Sequence, residues 1–296
     1  MDSTPDYNLK LSLGALQYFW PRQKTLELYE RVGDLPISII YLGETVCSKR
    51  RELRLADWLA IGRELKSAGH EVVLSTLTLI EAGSELSACR RIVENGEFPL
   101  EANDMSAVQL ATERGLPFVA GPGVNIYNHR TLAILQSMGL TRMVLPVELG
   151  RDSLGHLVAG MTADGLDPPE IEVLAWGRIP LSHSARCFTA RAVGRPKDDC
   201  RFECLKHPDG ERVRTREDQA FLNLNGIQVQ SAAVQDLSPM LDELASAAVD
   251  IVRIQPGYEP IEDTVARFQA ALRGEEIDVL EGKVSGYWRG LPGMHK

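Results

Sequence analysis

Short apolar and β-branched runs recur along the chain, and most are followed by a stretch with helical periodicity. The runs occupy residues 9–16 (LKLSLGAL), 37–43 (ISIIYLG), 71–77 (EVVLSTL), 98–102 (FPLEA), 117–121 (PFVAG), 142–149 (RMVLPVEL), 170–176 (EIEVLAW), 220–226 (AFLNLNG) and 250–256 (DIVRIQP). Their length and residue types predict strands. Between them, residues 55–69 place Leu55, Trp58, Leu59 and Leu65 on one face at close to a 3.6-residue period, with Gly62 on that face, Ile61 at its edge and Gly69 as a C-cap. Residues 84–97 and 131–139 have the same form, and 240–249 and 261–274 add two late helices. Strand–helix alternation at roughly 20–35 residues per unit argues for a parallel sheet with helical crossovers. With eight or nine such units, a closed (β/α) barrel is the natural solution and an open doubly wound sheet the alternative. No stretch reads as a linker or as low complexity, so one barrel-like domain over residues 1–296 is expected. Residues 177–218 have little helical pattern. An irregular segment of that length in a compact domain is usually functional or disordered.

Composition narrows the classes of function. Apolar residues make up 44% and charged residues 25% of the 296, as in ordinary globular chains. The formal net charge of −9 argues against nucleic acid as a partner. The first residues, MDSTPDYNLK, start acidic and lack the apolar core of a secretory signal. No run approaches the ~18 apolar residues of a membrane span. A cytoplasmic protein is expected. Five cysteines is an odd number, and in a reducing compartment clustered cysteines serve more often as metal ligands or redox groups than as disulfides.

In a (β/α) barrel the chemistry sits at the C-terminal ends of the strands. Those positions hold Glu44 and Cys47; Ser75, Thr76 and Thr78; Asn103 and Asp104; Asn125, Tyr127, Asn128 and His129; Glu148, Arg151 and Asp152; and His183, Ser184, Arg186 and Cys187. Many of these residue types serve equally well as helix caps. The cysteines are more specific. Cys187, Cys200 and Cys204 follow a C-x12-C-x3-C spacing, and Cys47 follows another predicted strand, so four thiols can meet on one rim. Cys89 falls inside a predicted helix and reads as a small core residue. Four thiolates suit zinc or an iron–sulfur cluster. A disulfide is disfavoured by compartment, and a catalytic cysteine paired with His183 is a third reading. Lys49, Arg50, Arg51, Arg186, Arg191, Arg195 and Lys197 flank the cysteines. They would offset the charge of a buried anionic cluster and lower the thiol pKa values. Residues 121–125 (GPGVN) lack a phosphate-loop pattern, and no H-E-x-x-H or G-x-S-x-G motif is present. Tyr287 and Trp288, in GYWRG, read as an anchor for the chain end.

At several of these positions the chain resembles the UbiV group of the collagenase-like peptidase family. The resemblance is carried by YLGETVCSKRRE (41–52), VENGEFPLEANDMSAV (93–108), LPFVAGPGVNIYN (116–128), PVELGRD (146–152), SARCFTAR (184–191) and RPKDDC (195–200), and it ends at GYWR (286–289). The wider family carries E-V-x-x-x-G-x-x-C-x6-C. Here the stretch reads EVLAWGRIPLSHSARC (172–187), with Pro180 in place of the first cysteine and Cys187 retained. The resemblance implies a 4Fe-4S cluster on Cys47, Cys187, Cys200 and Cys204, and a heterodimer with a UbiU-like paralogue. It further implies a part in hydroxylating the ubiquinone ring precursor without O2. So hydrophobic a precursor requires an apolar groove or a lipid-carrying partner protein. A peptidase-type hydrolase using Glu148 or His183, and a zinc-bearing scaffold, stand as alternatives. No catalytic residue is assigned.

Overall fold

The computed structural model describes residues 8–257 and 259–296, so the first seven positions of the stretch read above for a signal lie outside the described residues. The barrel staves are β1 (Lys10–Leu13), β2 (Ile39–Leu42), β3 (Glu71–Ser75), β4 (Leu100–Ala102), β5 (Phe118–Ala120), β6 (Leu140–Val144), β7 (Glu170–His183) and β11 (Ile251–Ile254). Each pairs in parallel with the next, and β11 pairs with both β7 and β1. That last pairing closes the sheet and excludes the open doubly wound alternative. The chain forms the (β/α) barrel that the alternation predicts. Staves such as β2 (IIYL) are buried along their whole length, which is why they read as continuous apolar runs.

Helices α1 (Arg22–Val32), α2 (Leu55–Ser67), α3 (Gly83–Val93), α4 (Met105–Thr112), α5 (His129–Ser137), α6 (Arg151–Ala163), α8 (Leu241–Ser246) and α9 (Ile261–Leu272) surround the barrel. In α2 the innermost residues are Ile61, Gly62 and Leu65, while Leu55, Trp58 and Leu59 are partly buried beside them. The core-facing line is therefore rotated from the predicted face. Gly62 sets the rotation, because a Cβ there would stand 2.9 Å from the Phe98 ring. The chain end is anchored as expected: Trp288 is buried, and its carbonyl accepts from the Arg151 amide at the start of α6 (3.0 Å).

One strand leaves the barrel. At Gly177 (φ 138°) β7 departs from β11, and a Cβ there would lie 2.6 Å from that of Gln255. Beyond this hinge β7 continues to His183 and pairs antiparallel with β10 (Gln228–Asp236). β10 pairs with β9 (Ala220–Asn225), and β9 with β8 (Glu211–Arg214). The segment 177–218 is thus not wholly irregular. It holds the end of β7, the short helix α7 (Phe188–Ala192), 3-10 turns at Lys197–Asp199 and Glu203–Lys206, and β8. The strand predicted at 220–226 is no barrel stave. A two-residue turn at Gly226–Ile227 returns the chain at once, leaving no length for the crossover that a parallel stave needs.

The barrel interior contains a charged layer. Arg253 donates to Glu172 Oε1 through Nε and to Glu101 Oε1 through Nη1, both at 2.7 Å, and its guanidinium lies 4.0 Å from the Tyr41 ring centroid. Glu172 also accepts from Tyr41 Oη (2.5 Å) and from Ser12 Oγ. Burial alone would push the Glu172 carboxyl up. Arg253 and these hydrogen bonds outweigh it and hold the carboxyl below its ordinary range.

Candidate metal centre

Cys47 lies in the loop after β2, where the Glu44 carboxylate accepts from the amides of Val46 (2.9 Å) and Cys47 (3.0 Å) and fixes the turn. Cys187 is the N-cap of α7, its Sγ accepting from the Ala190 amide at 3.4 Å. The Gly226 turn holds that helix. Its carbonyl accepts from the Phe188 amide (2.8 Å), and its amide donates to Thr189 Oγ1 (3.0 Å). Cys200 and Cys204 flank Arg201 (φ 47°) and Phe202 (φ 53°), two successive non-glycine residues in the left-handed region. Such backbone is strained and persists only where its surroundings enforce it. Here the Phe202 ring packs on Phe19 at 5.8 Å. Lys49 ties the loop to the barrel through the Lys197 carbonyl (2.8 Å) and Asp198 (3.2 Å), and Lys197 pairs with Glu81 ahead of α3.

This scaffold brings Cys47, Cys187, Cys200 and Cys204 to the wall of one narrow pocket. Cys89 is elsewhere, buried in α3 against the core, and burial pushes its thiol up to about 11. All five cysteines are free thiols. Of the predicted halo of cations, Lys49, Arg50 and Lys197 line the pocket, and only Arg50 is buried there. Arg50 is buried, donating to the Gln17 carbonyl (2.5 Å) and Asn225 Oδ1 (2.8 Å), with its guanidinium 5.7 Å from the Phe19 ring centroid. Lys49, Lys197 and Arg195 pair with acidic partners, and Arg50 Nη1 lies 3.8 Å from the Glu44 carboxylate. The expectation of lowered thiol pKa values is corrected as well. Burial raises those of Cys47, Cys187 and Cys204, and Arg50 only partly opposes it.

Among the described residues, no three His, Cys, Asp or Glu side chains converge as a single-ion site. One tetrahedral zinc holds its sulfurs about 2.3 Å from one point, whereas a four-iron core spreads its thiolates further apart. Four cysteine thiols on one wall are a donor set that either group can use. Beside the thiols, Arg50 Nε is buried and has no hydrogen-bond partner among the described residues, a donor an anionic group could use.

Most other strand-end residues fall around the barrel mouth or cap helices. Asp104 caps α4 through the Ser106 amide (2.7 Å), and Asn128 caps α5 through the Thr131 amide (2.9 Å). Ser75 and Asn103 donate to Glu101 Oε2 at 2.6 and 3.2 Å. Tyr127 Oη donates to Glu148 (2.8 Å), and His183 Nε2 meets Gln228 Nε2 at 3.2 Å. Because that amide nitrogen can only donate, His183 Nε2 accepts and its proton sits on Nδ1. Burial depresses the His183 imidazole to about 4, so it is neutral near pH 7. It is engaged with an amide rather than with a serine or cysteine nucleophile. Ser184 Oγ accepts from the Arg186 amide (3.2 Å), and neither residue belongs to the cysteine pocket. The residue missed as functional was Gly226. Its signal was the NG dipeptide of a hairpin turn.

Fold and pocket together define a (β/α)-barrel protein that carries a thiol cluster on a flap at its rim. The chain belongs to peptidase family U32, whose family model matches residues 30–275. Among solved structures it is similar to the U32 peptidase Mk0906 (10% identity, 88% of this chain and 97% of that one, TM-score 0.46). It is also similar to the tryptophan synthase complex of Pyrococcus furiosus (12% identity, 91% and 99%, TM-score 0.46) and to dihydropteroate synthase of Thermus thermophilus (14% identity, 92% and 95%, TM-score 0.44). Among the described residues, no helix is long and apolar enough to cross a membrane.

Proposed function

We propose that this U32-family chain is a 4Fe-4S subunit of an oxygen-independent hydroxylation system for the ubiquinone ring precursor, acting as a heterodimer with a UbiU-like paralogue. The observation that carries the reading is the convergence of Cys47, Cys187, Cys200 and Cys204 on one pocket beside a buried arginine with a spare donor. Bound there, a cluster would supply one-electron chemistry. With all four cysteines as its ligands, a cluster would have no iron open for substrate, which favours a redox or structural role over direct substrate ligation. Arg50 would offset part of such a cluster's negative charge, and the strained turn at Arg201–Phe202 would set the directions of the last two ligands. A cleft of about 940 Å³ between α2 and α3, walled by Leu53, Leu55, Trp58, Leu77 and Ile92, shares Arg50 with the cysteine pocket. It offers the apolar groove that a lipid-like precursor needs, alone or when handed over by a lipid-carrying partner.

The test is anaerobic purification with an absorbance spectrum and iron and sulfide counts. A brown protein with about four iron per chain supports the reading. Cys200→Ala and Cys204→Ala should each lose the cluster. A colourless protein with stoichiometric zinc would instead favour the zinc scaffold. The peptidase alternative predicts peptide cleavage that is abolished by Glu148→Gln or His183→Gln.

A further inference from the structure

The barrel mouth is a cavity of about 310 Å³, separate from the cysteine pocket, and its wall contains donors without partners. Arg253 spends Nε and Nη1 on Glu172 and Glu101, but its Nη2 is buried and has no hydrogen-bond partner among the described residues. Thr45 Oγ1, in the loop after β2, is in the same state. Both residues line the cavity, and each is more than nine-tenths buried. Two unsatisfied buried donors in one cavity wall are costly unless something accepts from them.

The surroundings limit what that acceptor is. Arg253 already faces two carboxylates, and Glu148 lines the mouth as a third acid, so another anion would enter an acidic site. His183, on the same wall, adds no positive charge. Pro122, Pro146, Pro180 and Leu181 give part of the wall flat apolar surface, beside amides such as Gln17 and Asn103. Its volume is at the small end of the range for ligand sites. We propose that the mouth binds a small neutral ring compound, a phenol or a ring carbonyl, whose oxygen accepts from Arg253 Nη2 and Thr45 Oγ1. The position suits the reading above, on which this proposal rests for the identity of the substrate. Thr45 is two residues from Cys47, His183 is four from Cys187, and Leu79 lines the mouth while packing against the apolar rim of the cysteine pocket.

The full chain is titrated by calorimetry with methyl 4-hydroxybenzoate and, in parallel, with 4-hydroxybenzoate, which carries the same ring as an anion. The ester should bind saturably, and the anion at least about tenfold more weakly. Thr45→Val, which keeps the side-chain shape, should weaken the ester about five- to tenfold without lowering the melting temperature, because it removes an unpaired buried hydroxyl. Iron and sulfide are counted in every titrated sample; the ester should bind, and Thr45→Val should weaken it, whether or not the protein carries iron, which separates this proposal from the cluster assignment. No saturable ester binding, unchanged ester binding by Thr45→Val, or tighter binding of the anion would each overturn it.

Discussion

His183 shows how a single side chain links burial to stability. Its folded value of about 4 lies below the ordinary 6.5 of an imidazole. Between those values the unfolded chain binds a proton that the folded chain refuses. Stability is therefore fully present above pH ~6.5 and falls as the pH drops toward 4, by at most about 3 kcal/mol from this group. His183→Gln should flatten the urea-derived stability profile across that window. An unchanged slope would show that the imidazole is not buried as described. The cysteines were legible at this scale because thiols are rare in the chain and their spacing is informative. Arg50 could not be told from Lys49 or Arg51 in sequence, since all three sit in one basic run. Only the fold decides which one turns inward, through Gln17 and Asn225.

At the scale of elements, the barrel staves and the longer helices were readable from apolar period, whereas the flap was not. β10 begins QVQ and alternates toward polar residues, which suggests an exposed face. Those amides are in fact buried in a ladder. Gln228 Oε1 accepts from Asn225 (3.1 Å) and from Gln230 (2.9 Å), and Gln230 Oε1 accepts from Asn223 (2.9 Å) and from Tyr18 Oη (3.1 Å). A buried amide ladder has no hydrophobic signature, so pattern reading passes over it. The same flap depends on one glycine. Gly226 has φ 65°, and a Cβ there would stand 2.8 Å from Arg50 Nη2. Gly226→Ala should cost about 1–2 kcal/mol through the left-handed backbone alone, read by thermal melting. It should also displace Arg50 and lower the iron retained by anaerobically purified protein. Full iron content in this variant would separate Arg50 from the thiol pocket.

For the molecule as a whole, the barrel is held at its centre by charge as well as by apolar packing. Arg253→Met would leave Glu101 and Glu172 buried and uncompensated, and breaking a buried pair in this way typically costs about 3–5 kcal/mol. Chemical denaturation should show that loss at neutral pH, and a shift under about 1 kcal/mol would mean the carboxylates relax to water. The closed fold was legible because βα alternation leaves few topologies open. The departure of β7 was not, because a single glycine with positive φ turns a stave into a flap without interrupting the apolar run before it. The four thiols are divided unevenly by that departure: Cys47 belongs to a barrel loop, and Cys187, Cys200 and Cys204 to the flap. Any group bound by all four is then a rivet between two parts of the chain otherwise joined by hydrogen bonds, a few ion pairs, the Phe19–Phe202 contact and the packing of Val46 against Cys187, Ala190 and Ile227. Removing it would turn a fixed lid into a hinged one, and limited proteolysis of metal-free protein should cut first between residues 184 and 218, while the barrel survives as a resistant body.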